Sequence, residues 1–107
     1  MTDKEFKKRM LSLKTTDTKE DLELKERNRI RKELLTSKED PETLMTICME
    51  EMAELTKELT KAMRKKENVT ALWQELCHVQ WTVWCIQELF GISNRQLAKG
   101  IQASIRP

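Results

Sequence analysis

The most regular pattern of apolar and polar residues begins at Asp40-Pro41-Glu42, which has the composition of a helix start. Asp40 is a good N-cap, proline fits the first helical turn, and Glu42 favours the positive end of the helix dipole. Apolar residues then recur every three or four positions as far as the region of Lys66, at Leu44, Cys48, Met52, Leu55, Leu59 and Ala62. This spacing predicts an amphipathic helix whose apolar side faces a core.

A second long helix is predicted from about Val69 to Phe90, with Asn68 as its N-cap and Gly91 at the left-handed position that ends a helix. This segment is apolar on nearly all sides, through Leu72, Trp73, Leu76, Val79, Trp81, Val83, Trp84, Ile86 and Leu89. Such a helix needs cover on more than one face, which the rest of a 107-residue chain can hardly supply. The pattern therefore predicts a homo-oligomer, either a homodimer or a homotetramer, that assembles through residues 69–90.

A short last helix is predicted after Gly91. Ser93 and Gln96 have the spacing of a capping box, in which each residue satisfies a backbone N–H group of the other. Leu97 and Ile101 are four positions apart on the following segment, so we expect both to point inward.

The segment before Asp40 is rich in charge and sparse in apolar residues. Thr2 and Glu5 form a possible capping box for a short helix, whose apolar stripe comprises Phe6, Met10 and Leu13. After a break with Asp17 or Thr18 as the next cap, a second helix is predicted to about Leu35, with a thin apolar seam of Leu22, Ile30 and Leu34. A helix this polar gains little from burial, so it is an arm over the core, a subunit contact or a semi-ordered extension.

These elements predict an all-α protein with a charged N-terminal helical extension over residues 1–39 and a helical core domain over residues 40–107. No apolar run reaches the length that crosses a bilayer, and residues 1–9 lack the apolar core of a secretory signal. The net charge is only +2, which is too small an excess to indicate a nucleic-acid surface. We therefore expect a cytoplasmic protein without a membrane or nucleic-acid partner, in which residues 1–39 are the candidate surface for a protein partner.

Acidic residues stand out within the two long helices. Glu51 and Glu54 are three residues apart in the first, and Glu75 and His78 have the same spacing in the second. Positions three apart lie on one face of a helix, so two packed helices would bring the four side chains together. Carboxylates do not gather in a dry interface without cations, and hard divalent ions such as Mg²⁺ prefer carboxylate oxygen. The spacing thus predicts a divalent metal site.

The same residues carry a resemblance to a known family. A Glu-Glu-x-x-Glu motif followed some twenty residues later by Glu-x-x-Asp marks the MazG-like all-α nucleoside triphosphate pyrophosphohydrolases, whose relatives include the dimeric dUTPases. The chain resembles this family from about residue 40 to residue 106, over the segments 45–61 and 75–93 in particular. The resemblance implies a MazG-like helical bundle as the fold of the core domain.

It also implies an activity and a set of roles. In that family Mg²⁺ holds the triphosphate, and attack by water releases a nucleoside monophosphate and pyrophosphate. Carried over, Glu51, Glu54 and Glu75 would be metal ligands, and Glu50 would position water or act as a base. The candidates for substrate binding are Lys57, Lys61, Trp81, Lys99 and Arg106.

Some of these residues have ordinary structural roles as alternatives. Lys57 and Lys61 are correctly spaced to form helical ion pairs with Glu54 and Glu58. Tryptophans on an apolar helix are typical of a core or a subunit interface, although Trp81, one turn from His78, is the best candidate to stack on a base.

Two departures from the family pattern affect the predicted function. His78 stands where the family has Asp, and it is either a metal ligand or a hydrogen-bond partner of a neighbouring Glu. An imidazole ligand suits Mn²⁺ better than Mg²⁺. Ala103 stands where many relatives have a Lys one turn before the position of Arg106. The sequence therefore predicts a metal-dependent nucleoside triphosphate pyrophosphohydrolase or a degenerate descendant, and the alternative is an inactive MazG-like module that sequesters a nucleotide or engages a protein partner.

Overall fold

The computed structural model describes residues 3–12, 18–36 and 40–105. Within these ranges the regular elements are five helices: α1 (Asp3–Ser12), α2 (Lys19–Thr36), α3 (Pro41–Met63), α4 (Val69–Phe90) and α5 (Asn94–Ser104). The all-α prediction is therefore confirmed for the described residues. Predictions that involve Thr2, Leu13, residues 15–17 and Arg106 lie outside them.

The predicted caps form where the sequence places them. Asp40 accepts a hydrogen bond from the backbone N–H of Thr43 at 2.8 Å, and Asn68 accepts one from Ala71 at 3.0 Å. Each cap satisfies an N–H group that has no partner within its own helix, so α3 and α4 begin at the predicted residues.

The helices α2 and α5 begin with reciprocal capping boxes. Ser93 accepts from the backbone N–H of Gln96 at 3.0 Å while the Gln96 side chain accepts from that of Ser93 at 2.8 Å. Thr18 and Asp21 make the same exchange at the start of α2, at 3.1 and 3.3 Å. Of the two predicted caps for α2, Thr18 is thus seen to serve.

The helix α3 ends earlier than the sequence predicts. It stops at Met63 instead of about Lys66, because Lys65 takes a left-handed conformation with φ 59° and Lys66 donates back to the carbonyl of Lys61 at 2.9 Å. The N–H groups after the helix thus bond to the carbonyls of Thr60, Lys61 and Ala62, and the chain continues into the cap of α4.

Three helices pack against α4, which lies at the centre of the fold. Its main partner is α3, and α2 and α1 add further contacts. Phe6 of α1 meets Trp73 of α4 edge to face, with ring centroids 4.7 Å apart. Ile30 of α2 is only 1% exposed, so the thin apolar seam of this polar helix is anchored at one fully buried residue.

The face that α3 turns to α4 overlaps the predicted one but is rotated toward the acidic strip. Leu44 is buried and Leu55 and Ala62 are partly buried, as predicted. Met52 and Leu59, which the apolar pattern places on the core face, are exposed, whereas Glu58 is buried and Glu51 half-buried. Two overlapping stripes share these residues on the helix, and apolarity alone does not decide between Met52 and Leu59 on one side and Glu51 and Glu58 on the other. The observed stripe is available because α4 and α3 themselves supply polar partners: His78 for Glu51 and Lys61 for Glu58.

The position of α5 also corrects a prediction. Leu97 and Ile101, expected to point inward, are 40% and 49% exposed. They line the rim of an open groove of about 550 Å³ beside Leu22 and Trp84 instead of entering the core. The reason is that α5 is held at its first residue, Asn94, and its later turns do not pack closely on the other described helices.

A buried ion-pair network joins α2 to the end of α4. Arg27 donates to one carboxylate oxygen of Glu88 through Nε at 2.8 Å and Nη2 at 2.6 Å, and Arg31 donates to the other oxygen at 2.6 Å. Asn94 accepts from Arg27 and from Gln87. The helix α2, which belongs to the predicted N-terminal extension, therefore lies against the core helix α4 and fixes the start of α5.

None of the described helices is both long enough and apolar enough to cross a membrane.

Gly91 and Gly100 give a matched test of the turn between α4 and α5. At both glycines there is space for a Cβ atom, with no neighbouring atom within 4 Å. The two differ in backbone conformation, because Gly91 has a left-handed φ of 68°. Gly91→Ala should therefore lower the free energy of unfolding by about 1 kcal/mol through backbone strain alone. Gly100→Ala lies inside a helix, where alanine is preferred, and should not lower it. Urea denaturation of both variants checks the difference, and equal destabilisation by the two would contradict this account.

Candidate metal centre

Side chains from α3 and α4 converge at one point of their interface. Nδ1 of His78 lies 3.2 Å from Oε2 of Glu51 and 3.7 Å from Oε2 of Glu75. Each of the three residues offers a ligand atom within 4.8 Å of the other two. Glu75 and His78 are adjacent on α4 because they are one turn apart, while Glu51 reaches them from the facing helix.

The structure thus brings together three of the four residues that the sequence predicts. Glu54 is exposed and lies outside the group, although its negative charge still acts on Glu75. Glu51 faces α4, and a residue three positions later is turned by about 60° toward the edge of the interface. Glu50 is exposed on a different side of α3.

Burial, together with the negative charge of its neighbours, disfavours the ionised form of Glu75 within this group. Burial raises the pKa of Glu75 most. The hydrogen bond that its protonated form can donate to Glu51 and the negative charges of Glu51 and Glu54 raise this pKa further, against an opposing effect of His78. In addition, Oε2 of Glu75 is buried without a hydrogen-bond partner. A carboxylate in this position is stabilised by a nearby cation.

A cavity of about 220 Å³ opens beside the cluster. It is lined by Glu51 and His78 together with Ile47, Trp81 and Thr82. Trp81 therefore borders the acidic cluster, and its indole Nε1 is buried without a hydrogen-bond partner. The predicted proximity of Trp81 to the acidic residues is therefore seen in the structure.

The predicted phosphate-binding cations lie elsewhere. Lys61 forms an ion pair with Glu58 at 3.1 Å, the ordinary helical role expected as its alternative. Lys57 and Lys99 are exposed, and no described Lys or Arg lines the 220 Å³ cavity.

Ile47 and Thr82 were not recognised in the sequence as part of this cavity. Ile47 is four residues before Glu51, and Thr82 is four residues after His78, so both extend the stripes that carry the cluster. Thr82 is buried, and its hydroxyl donates to the carbonyl of Val79 at 2.8 Å. The i+4 spacing from the acidic motifs is the signal that would have found them.

The donor set fits a divalent cation. Two ligands that each lie about 2.1 Å from one ion are separated by about 3.0 to 3.4 Å at octahedral or tetrahedral angles. The separation of 3.2 Å between His78 and Glu51 falls in this range, and that of 3.7 Å between His78 and Glu75 lies just beyond it. Glu51, Glu75 and His78 are therefore the residues able to hold a metal ion, and the unpartnered oxygen of Glu75 would gain its missing partner.

Comparison of the chain with protein-family models, with curated proteins and with solved structures finds no match.

Proposed function

We propose that this chain is a MazG-like nucleoside triphosphate pyrophosphohydrolase that depends on a divalent cation, Mg²⁺ in the family it resembles. The observation that carries the proposal is the convergence of Glu51, Glu75 and His78 across the interface of α3 and α4. The substrate would be a ribo- or deoxyribonucleoside triphosphate, and the products a monophosphate and pyrophosphate.

The roles of the chain's own groups follow from their positions. A bound divalent ion supplies neutralisation of the triphosphate and activation of water. Glu51, Glu75 and His78 would hold it. Glu54 lies close enough for its charge to act on Glu75, and its exposed carboxylate can accept a proton from water. Trp81 offers an aromatic face beside the cluster on which a base can stack.

One observation favours an alternative in which the protein binds a nucleotide without hydrolysing it. Phosphoryl transfer relies on cations arranged around the phosphates, and no described Lys or Arg lines the cavity next to the cluster. Together with Ala103 and His78, this describes an inactive relative that sequesters a nucleotide or engages a protein partner.

An assay of products separates these two functions. The full chain is incubated with a panel of nucleoside and deoxynucleoside triphosphates and Mg²⁺ or Mn²⁺, and phosphorus NMR follows the products. Monophosphate with pyrophosphate is the expected result. Metal-dependent nucleotide binding in calorimetry without turnover would instead establish the binding module, and the absence of both would refute each proposal.

We further propose that two copies assemble through α4. Val69, Trp73 and Leu76 are exposed on this helix at spacings of four and three, which places them on one side. Leu76→Glu should convert the assembly to a monomer in sedimentation equilibrium, because it buries a charge in the contact. Leu24→Glu, at a similarly exposed leucine of α2, is the matched control. A wild-type monomer would rule out the assembly.

A further inference from the structure

His78 distinguishes this cluster from an all-oxygen magnesium site. Its Nδ1 atom, rather than Nε2, faces both carboxylates, at 3.2 Å from Glu51 and 3.7 Å from Glu75. The ring is about half exposed, so no steric constraint from a packed core accounts for this orientation.

A simple ion pair between His78 and Glu51 does not account for the whole arrangement. One proton on Nδ1 serves one acceptor, and Glu51 is the nearer. Oε2 of Glu75 would then stay buried without a partner, at a cost comparable to a lost hydrogen bond. An ion placed among the three ligand atoms satisfies both carboxylates and the imidazole lone pair together.

We infer that this cluster is a mixed nitrogen and oxygen centre that selects a first-row transition ion of the Mn²⁺ class over Mg²⁺, with Nδ1 of His78 as a direct ligand. Mg²⁺ retains its water and favours oxygen ligands in octahedral geometry, whereas Mn²⁺ and the later divalent ions accept imidazole. The inference rests on the metal dependence of the proposed function, but it concerns the identity of the ion and not the reaction.

Pulsed electron paramagnetic resonance of bound Mn²⁺ tests the ligand directly. The full chain, without a polyhistidine tag, is stripped of metal by a chelator and loaded with Mn²⁺ in the absence of nucleotide. The sequence contains one histidine, so any coupling from an imidazole nitrogen must come from His78. We expect this coupling in the wild type and its loss in both His78→Asp and His78→Gln, with circular dichroism checking that the variants fold.

Competition between the two ions tests selectivity. His78→Asp restores an oxygen ligand, so the ratio of Mn²⁺ to Mg²⁺ affinity should fall by at least about tenfold. Glu67→Gln, which removes an exposed acidic charge between α3 and α4, should leave the ratio unchanged. Bound Mn²⁺ without nitrogen coupling, an unchanged ratio in His78→Asp, or no Mn²⁺ binding would each overturn the inference. Because no nucleotide is present, a failure of the hydrolysis assay alone would leave it standing.

Discussion

Glu75→Gln is expected to abolish most turnover and, at the same time, to stabilise the metal-free protein. The amide cannot replace the carboxylate as an anionic ligand, so we expect kcat/KM for the proposed triphosphate hydrolysis to fall by about 100- to 1000-fold. The stability should rise by about 0.5–2 kcal/mol, since the substitution removes a buried charge that is repelled by Glu51. Product assays and urea denaturation in the presence of a chelator measure the two effects.

The expected gain in stability should also appear in how the free energy of unfolding depends on pH. The folded state raises the pKa of Glu75 above its ordinary value of 4.5, because burial and Glu51 disfavour the charged form. The native protein therefore holds this proton more tightly than the unfolded chain, and the free energy of unfolding decreases as pH rises from 4.5 through the raised pKa. Glutamine does not titrate, so this decrease should be smaller in the variant.

Glu67→Gln is the control for the same chemical change at an exposed position, and it should alter neither activity nor stability appreciably. If Glu75→Gln lost activity and stability together, Glu75 would have a structural role instead of a metal-binding one.

Glu88→Gln is expected to destabilise the fold by about 3 kcal/mol, because it leaves the buried Arg27 without its counter-charge. The side chains of Glu88 and Arg27 are each only 9% exposed, so water cannot replace the lost interaction. Denaturation by urea at neutral pH measures the loss. Glu33→Gln removes a carboxylate from the surface pair with Arg29 and should cost less than about 0.5 kcal/mol.

The same network predicts an acid-dependent loss of stability. Burial raises the pKa of Glu88, but hydrogen bonds from Arg31 and Arg27 and their charges outweigh it and hold this pKa below its ordinary value of 4.5. The stabilisation is complete above that value and is lost as pH falls through the lower folded pKa. Glu88→Gln should lack this component, and an unchanged acid profile in the variant would exclude the pair as its source.

Helix starts were the most predictable part of the fold. Asp40, Asn68 and Ser93 bond to backbone N–H groups three residues ahead, so the information needed to place them is local. Gly91 ended α4 as expected for the same reason. The end of α3 was less predictable, because Lys65 adopts a left-handed conformation that its side chain does not indicate.

The orientation of α3 was only partly predictable from apolarity, which placed Leu44, Leu55 and Ala62 correctly on the packed side. The packed side of α3 includes Glu51 and Glu58, while Met52 and Leu59 remain exposed. Each of these two acidic residues has a basic partner. Lys61 pairs with Glu58 from one turn away on α3, and His78 pairs with Glu51 from α4. Arg27 and Glu88, 61 positions apart, carried no visible signal as a pair, since an isolated charge on a polar helix resembles any solvated residue.

The linear chain by itself determined the all-α class, the caps and the i,i+3 spacing of Glu75 and His78, because these depend on contacts within one or two helical turns. Tertiary structure alone decided that Glu51 joins them while Glu54 does not, and that α2 lies over α4. Those outcomes depend on how one helix is rotated against another. That rotation is set by the sum of many weak contacts and by distant charge partners, neither of which is visible in a local pattern.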